Sequence, residues 1–183
     1  MPLRMPRTHA TMAYADPVRA AVSAWKDGDR RDLVAVLGPV LERSVAAAVA
    51  DAGWSRGPVV VVPAPSSAGA VRRRGDAPLR DLADWVARRP GRELLRVVPA
   101  LHQVRRVADQ SGLDITARRR NLAGAISVKP MWRNVIRDRR VVVVDDVVTT
   151  GATLGEAARA LRRAGALEVV AAAVAASQRH EQV

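Results

Sequence analysis

Apolar positions along the chain follow two different periods. Short, wholly apolar runs at residues 59–62, 141–144 and 169–176 are typical of strands buried on both faces of a sheet. Residues 31–52 and 152–164 instead repeat apolar side chains close to every 3.6 positions, which predicts amphipathic helices. Because strand and helix patterns alternate, the sequence predicts an α/β domain with a mostly parallel sheet.

Weaker patterns complete the predicted order of elements. Helices are expected at residues 17–25 and 79–88, a strand at 94–101 and a brief strand at 126–128. Residues 1–13 are mixed and polar, so we expect a flexible leader there. Residues 14–183 would then form a single domain, in which residues 14–57 supply the leading helices and a small hood.

Composition narrows the chemistry. The 183 residues include no cysteine, which excludes disulfides, thiolate catalysis and zinc sites built on cysteine. His9, His102 and His180 are too scattered to suggest a metal cluster. The apolar stretches look too short to cross a bilayer, and no apolar secretory segment follows the first residues. We therefore expect a cytoplasmic protein with no membrane association.

The net charge is +12, and arginine supplies nearly all of the positive side. A guanidinium group offers a bidentate fork to phosphate oxygens. The charge therefore suits phosphate-bearing partners, whether small ligands or nucleic acid, although a merely solvated basic surface has the same composition.

The segment 141–154, VVVVDDVVTTGATL, carries the most specific signal. Asp145 and Asp146 are expected at the carboxyl end of a buried strand, where open α/β sheets bind ligands. The following turn leads into a helix whose first amides favour an anion, and Gly151 permits a close approach. Two acids that accept from a diol, beside a hydroxyl-lined anion turn, describe a ribose 5-phosphate site. The alternative is a plain strand–turn–helix in which Thr153 only caps the helix.

This segment resembles the ribose phosphate motif of type I phosphoribosyltransferases. The resemblance implies that fold, with a mostly parallel central sheet flanked by helices and a small hood. It also implies that Asp145 and Asp146 hold the ribose hydroxyls and act as catalytic residues. The residues implied to wrap the 5-phosphate are Thr149, Thr150, Gly151, Ala152 and Thr153.

More of the chain is similar to one branch, the ComF-like phosphoribosyltransferases. Residues 59–66 resemble that family's strand and pyrophosphate loop, residues 72–75 its basic Arg-Gly element, and residues 110–125 its Gln…Leu…Arg…Asn…Gly-Ala segment. Residues 17–33, with Lys26 and Gly28, resemble the segment that leads into the domain. The resemblance assigns Arg74 to catalysis. It assigns ligand contacts to Pro65, Ser66, Ser67, Arg72 and Arg118.

Three departures from the family pattern bear on function. The absence of cysteine means that the family's frequent four-cysteine zinc module is missing. Asp76-Ala77-Pro78 stands where members usually have an aromatic residue and Asn-Gln, which puts the pyrophosphate and acceptor contacts in doubt. Thr149 stands where purine-salvage relatives tend to have an acid, and threonine is no general base at neutral pH. Purine salvage is therefore disfavoured.

The resemblance implies a protein that binds 5-phosphoribosyl 1-pyrophosphate with Mg²⁺ and transfers the phosphoribosyl group to a nitrogen acceptor. Asp145 and Asp146 would hold the metal indirectly, through ligand or water oxygens. The alternative is a non-catalytic ComF-like module that acts in DNA uptake or nucleic-acid binding. The sequence does not identify the acceptor, and it leaves a homodimer and DNA as a partner open.

Overall fold

The computed structural model describes residues 5–54, 57–66, 78–88, 94–105, 107 and 120–177. Two short 3₁₀ turns, Arg31–Leu33 and Pro130–Trp132, precede helices. In chain order the strands and helices are β1 (Thr8–Ala13), α1 (Val18–Asp27), α2 (Val34–Asp51), β2 (Val59–Pro63), α3 (Pro78–Ala87), β3 (Leu95–Val97), β4 (Leu101–Gln103), β5 (Ile126–Val128), α4 (Arg133–Ile136), β6 (Arg140–Val148), α5 (Ala152–Arg163) and β7 (Glu168–Ala176).

Five strands form a parallel sheet in the order β1-β7-β6-β2-β3, which confirms the predicted fold class. Strands β4 and β5 pair separately as an antiparallel ribbon. The strand predicted at residues 94–101 is therefore two strands in two sheets. Pro99 stands at the break, and it has no N–H to donate to a continuing ladder.

The core lies on both faces of the sheet because the central strands are apolar throughout. On β6, Val142 and Val144 pack into one buried cluster, with α1, α2 and α3. Val141 and Val143 point the other way, into a cluster with α5 and β5. Alternate side chains of a strand face opposite sides of the sheet, so an all-valine run is what two covered faces require.

The N-terminal stretch differs from the expected leader, because residues 8–13 form the edge strand β1. It pairs in parallel with β7, from Thr8 opposite Ala171 to Ala13 opposite Ala176. The strand can be polar because it lies at the edge of the sheet, where its residues are half-buried or exposed. The Thr11 hydroxyl and amide also contact the buried Ser44 hydroxyl of α2, at 2.7 and 3.0 Å.

Helix α2 belongs to the layer that covers the sheet rather than to a hood above it. Its buried residues include Leu37, Leu41 and Val45, and the helix packs against β1 and β7. By length and composition alone, the helical stretch Arg31–Asp51 is long and apolar enough to cross a membrane, contrary to the sequence expectation. In this fold 33% of its apolar window is buried, including Leu37, Leu41 and Val45.

Candidate functional site

A crevice opens where strand order reverses. Strand β2 leads to β3 on one side of the sheet, and β6 leads to β7 on the other. The β2–β6 ladder ends with Pro63 opposite Val144, and the Ala64 amide donates to the Val144 carbonyl at 2.8 Å. Strand β6 continues for four more residues, to Val148, with no described strand paired to it on that side. Ligands of open α/β sheets bind at such switch points, beyond the carboxyl ends of the strands.

The crevice holds a cleft of about 300 Å³, walled by residues from most parts of the chain. Five residues that the sequence assigned to the site lie together in its wall: Pro65, Ser66, Asp145, Asp146 and Thr153. The wall also contains residues that the sequence did not assign, namely Trp25, Lys26, Ala64, Pro78, Leu79, Gln103, Leu122, Ile126 and Val147.

The acidic pair lies near the carboxyl end of strand β6, and the strand continues for two residues beyond it, to Val148. The Asp145 carboxylate accepts from the amide of Asp146 at 2.9 Å, and the Asp146 carboxylate accepts from the amide of Val147 at 2.8 Å. Each carboxylate thus accepts from the next main-chain amide along the strand, and both residues line the cleft. Burial raises the pKa of Asp145 well above its usual value, and the neighbouring Asp146 carboxylate raises it further.

Lys26, from the last turn of α1, is the cation of the site. Its ammonium forms an ion pair with Asp146, whose side chain is 8% exposed. Burial alone would lower the pKa of Lys26, but Asp146, Asp145 and Asp27 together raise it. Lys26 is part of the family resemblance, but no place in the site was predicted for it. Its rarity was the available signal, because arginine supplies every other positive side chain except Lys129.

The turn after β6 leads directly into α5. Gly151 has φ +70° and precedes α5, so a left-handed residue stands directly at the helix start. The Ala152 amide donates to the Thr150 hydroxyl at 3.4 Å, and Thr149 is exposed. A Cβ on Gly151 would overlap the Met5 sulfur, so Met5 packs directly on this glycine. Glycine is therefore required by both conformation and space.

The indole N–H of Trp25 is a donor without an acceptor among the described residues. Trp25 is only 1% exposed and lies in the cleft wall. An unsatisfied buried donor costs about 1–3 kcal/mol, so an acceptor atom on a bound ligand would recover that energy.

Four residues of the predicted site, Ser67, Arg72, Arg74 and Arg118, lie outside the described residues. Their assignment stays a prediction. Within the described ranges, no group of three or more His, Asp or Glu side chains could hold a metal ion without help from a ligand.

Comparison with known proteins gives one family match and several relatives. Residues 94–183 match the phosphoribosyl transferase domain. Competence protein F of Haemophilus influenzae is 42% identical over 67 residues, which cover 37% of this chain and 29% of that protein. The DNA utilization protein YhgH of Escherichia coli O157:H7 is 41% identical over 70 residues, 38% of this chain and 29% of that protein.

An adenine phosphoribosyltransferase of Mycobacterium avium is 56% identical over 39 residues, which cover 21% of this chain and 22% of that protein. All of these matches span less than a third of the relatives' own length. They therefore describe a shared domain rather than a shared whole protein.

Proposed function

Because this chain carries a phosphoribosyltransferase domain of the ComF-like kind, as its sequence predicted, we propose that it binds 5-phosphoribosyl 1-pyrophosphate in the cleft between β2 and β6. The observation that carries the proposal is the position of polar groups along one segment, from the end of β6 to the start of α5. The last residues of β6 present two carboxylates to the cleft, and the same strand runs directly into a glycine turn and a helix start.

The two ends of this segment suit the two ends of a ribose 5-phosphate. Carboxylates accept hydrogen bonds from the vicinal ribose hydroxyls, which are donors. The turn at residues 149–151 and the first amides of α5 offer donors and a positive dipole end to a phosphate. Thr153, in the cleft wall, adds a hydroxyl between them.

The donor set also fits magnesium held through the ligand. Mg²⁺ keeps several waters and binds one or two carboxylates together with substrate phosphates, rather than a complete protein cage. Asp145 and Asp146 are the two carboxylates in the cleft wall, and a site that relies on ligand oxygens needs no third. When bound, the metal would neutralise charge on the pyrophosphate.

Lys26 gives the cleft an internal counter-ion. Its ammonium occupies an oxygen of Asp146, one of the two proposed diol acceptors. A ribose hydroxyl that reaches Asp146 must share this carboxylate with Lys26 or displace it. The freed ammonium would then lie within the cleft, where a ligand with several phosphates supplies new anionic partners.

Transfer of the phosphoribosyl group needs only positioning and charge stabilisation from the protein. The bond between ribose C1 and the pyrophosphate oxygen breaks, and its electron pair leaves with pyrophosphate. The acceptor nitrogen forms the new bond to C1 with its lone pair, and a proton on that nitrogen passes to solvent. Asp145 and Asp146 would hold the ring while the cleft wall limits access of water.

Calorimetric titration with 5-phosphoribosyl 1-pyrophosphate and Mg²⁺ tests this proposal. The double variant Asp145→Asn with Asp146→Asn should bind at least about tenfold more weakly, since two charged acceptors become neutral amides. A matched control, Asp81→Asn with Asp138→Asn, removes two exposed carboxylates elsewhere and should bind like the wild type. Equal affinity in the two double variants, or no binding by the wild type, would reject the proposal.

A second candidate function is nucleic-acid handling without turnover. The net charge of +12 favours it, together with the printed names of two relatives, a competence protein and a DNA utilization protein. Single-stranded DNA affinity that falls steeply with salt, in a protein that releases no pyrophosphate in an acceptor screen, would support it. Pyrophosphate release with a nitrogen acceptor would favour the enzyme.

A further inference from the structure

A second cleft lies on the other side of strand β5 from the first cleft, the one between β2 and β6 that is the proposed sugar-phosphate crevice. It measures about 350 Å³, and Ile126 of β5 contributes to the walls of both clefts. Four arginines from two helical segments converge on it. The described residues of its wall are Ile126, Ser127, Val128, Arg133, Arg137, Arg159, Ala160, Arg163 and Ala164.

One of the four arginines has its charge satisfied. The Arg159 guanidinium binds both carboxylate oxygens of Glu156, at 2.6 and 2.8 Å, and donates to the Ile126 carbonyl at 3.2 Å. Glu156 is fully buried and does not reach the cleft wall. Arg159 is therefore a fixed, pre-oriented group.

The other three arginines, Arg133, Arg137 and Arg163, have no carboxylate partner in the described part of the chain. The wall of the cleft, as far as the structure describes it, contains no acid. Elsewhere among the residues that the structure describes, five arginines do pair with a nearby aspartate. Those pairs are Arg7–Asp51, Arg19–Asp16, Arg30–Asp32, Arg31–Asp29 and Arg80–Asp84.

The fold holds the two arginine-bearing segments together. Arg159 and Arg163 are four residues apart on α5, so they share one helix face. Arg133 and Arg137 bracket α4, and the amide of Asp138 donates to the Gly165 carbonyl just beyond α5 at 2.8 Å. Gly165 also packs against the Arg137 side chain, since a Cβ on this glycine would lie 3.3 Å from the Arg137 Cγ. The fold therefore holds these like charges close together against their mutual repulsion.

We propose that this four-arginine cleft is a phosphate-binding site, separate from the sugar-phosphate crevice, for a ligand that carries at least two phosphates. Three guanidinium groups that lack a carboxylate partner among the described residues match the charge and the acceptor geometry of linked phosphates. Either a free polyphosphate or the backbone of a single-stranded nucleic acid presents this chemistry. The proposal stands whether or not the first cleft binds 5-phosphoribosyl 1-pyrophosphate.

Arginine modification by phenylglyoxal, mapped by peptide mass spectrometry, gives a test with residue resolution. One arm adds inorganic tripolyphosphate, and the other adds a 20-nucleotide oligothymidylate. Arg133, Arg137 and Arg163 should be protected at least about threefold in one arm or both, while exposed Arg43 and Arg96 stay unchanged. Protection in the first arm alone identifies a free polyphosphate as the source, and protection in the second identifies a nucleic acid. No protection in either arm, or equal protection at the control arginines, overturns the proposal.

Variants give an independent readout. Replacing Arg133, Arg137 and Arg163 with alanine should weaken binding of the protecting probe at least about tenfold. For the oligonucleotide, the salt dependence of log K should also flatten by about 0.7 for each lost phosphate contact. A matched variant with alanine at Arg43, Arg88 and Arg96 removes the same charge from other exposed positions and should lose less than about twofold. Equal losses in the two variants would show a general charge effect and overturn the site.

The double variant Asp145→Asn with Asp146→Asn separates the two clefts. Protection of the three arginines should persist in it, even if it no longer binds 5-phosphoribosyl 1-pyrophosphate. Loss of arginine protection in that variant would place the anion in the first cleft and overturn the second site.

Discussion

Two acid–base pairs lie on either side of strand β5, and they differ in how completely they are satisfied. Glu156 and Arg159 stand three residues apart on one helix, and both bind the main chain of Ile126. Asp146 and Lys26 are 120 positions apart in the sequence, and they meet only because α1 folds over the end of β6.

The first pair has its charges and main-chain groups matched, and it fixes β5 to α5. The second pair is incomplete. Another carboxylate, Asp145, lies beside it with a raised pKa. The same wall includes Trp25, whose buried indole N–H has no acceptor among the described residues. Incompletely satisfied buried polar groups are what a ligand-binding site is expected to contain. The first pair is therefore a structural one, and the second belongs to the proposed ligand site.

Removing the structural pair should have the largest effect on stability. Glu156→Ala leaves the Ile126 amide without its acceptor and Arg159 without its carboxylate. We expect the free energy of unfolding in urea to fall by about 2–4 kcal/mol. Glu156→Gln keeps an acceptor oxygen and should lose clearly less. If both variants unfold like the wild type, the pair does not fix β5 to the helix.

Breaking the Lys26–Asp146 ion pair should lower the free energy of unfolding by a smaller amount. Lys26→Met leaves the nearly buried Asp146 carboxylate beside Asp145 with no cation, but Lys26 is itself 41% exposed, so the loss should be about 1–2 kcal/mol. A double-mutant cycle with Asp146→Asn isolates the pair, and the two losses should not add. Additive losses would mean that the ammonium and the carboxylate do not interact.

The smallest change should come from Asp145, and it should have the opposite sign. A carboxyl whose folded pKa is raised stabilises the fold at pH values below its unfolded pKa, and this stability is lost as pH rises through the folded pKa. Asp145→Asn should therefore be more stable than the wild type near neutral pH and lose that advantage at acid pH. Urea unfolding from about pH 4 to about pH 8 measures this. Parallel pH profiles would contradict it.

The sequence predicted those features of the fold that depend on local sequence pattern. The valine runs specified the parallel strands, and the order of acids, threonines and Gly151 specified the turn into α5. Lys26 could not be placed in the site from sequence, because its position depends on how α1 crosses the sheet. The burial of Glu156 could not be predicted from sequence, since it depends on packing against β5. Strand β1 was missed because an edge strand does not need apolar residues on both faces.

Met5, three residues before β1, contacts the turn that leads from β6 into α5. Its thioether occupies the space where any side chain larger than hydrogen at position 151 would project. The segment that leads into β1 is therefore part of the floor beneath that turn. If the proposed site binds a sugar phosphate, a fusion, a tether or oxidation of that sulfur would act on its affinity from outside the cleft, without altering a single residue of the cleft wall.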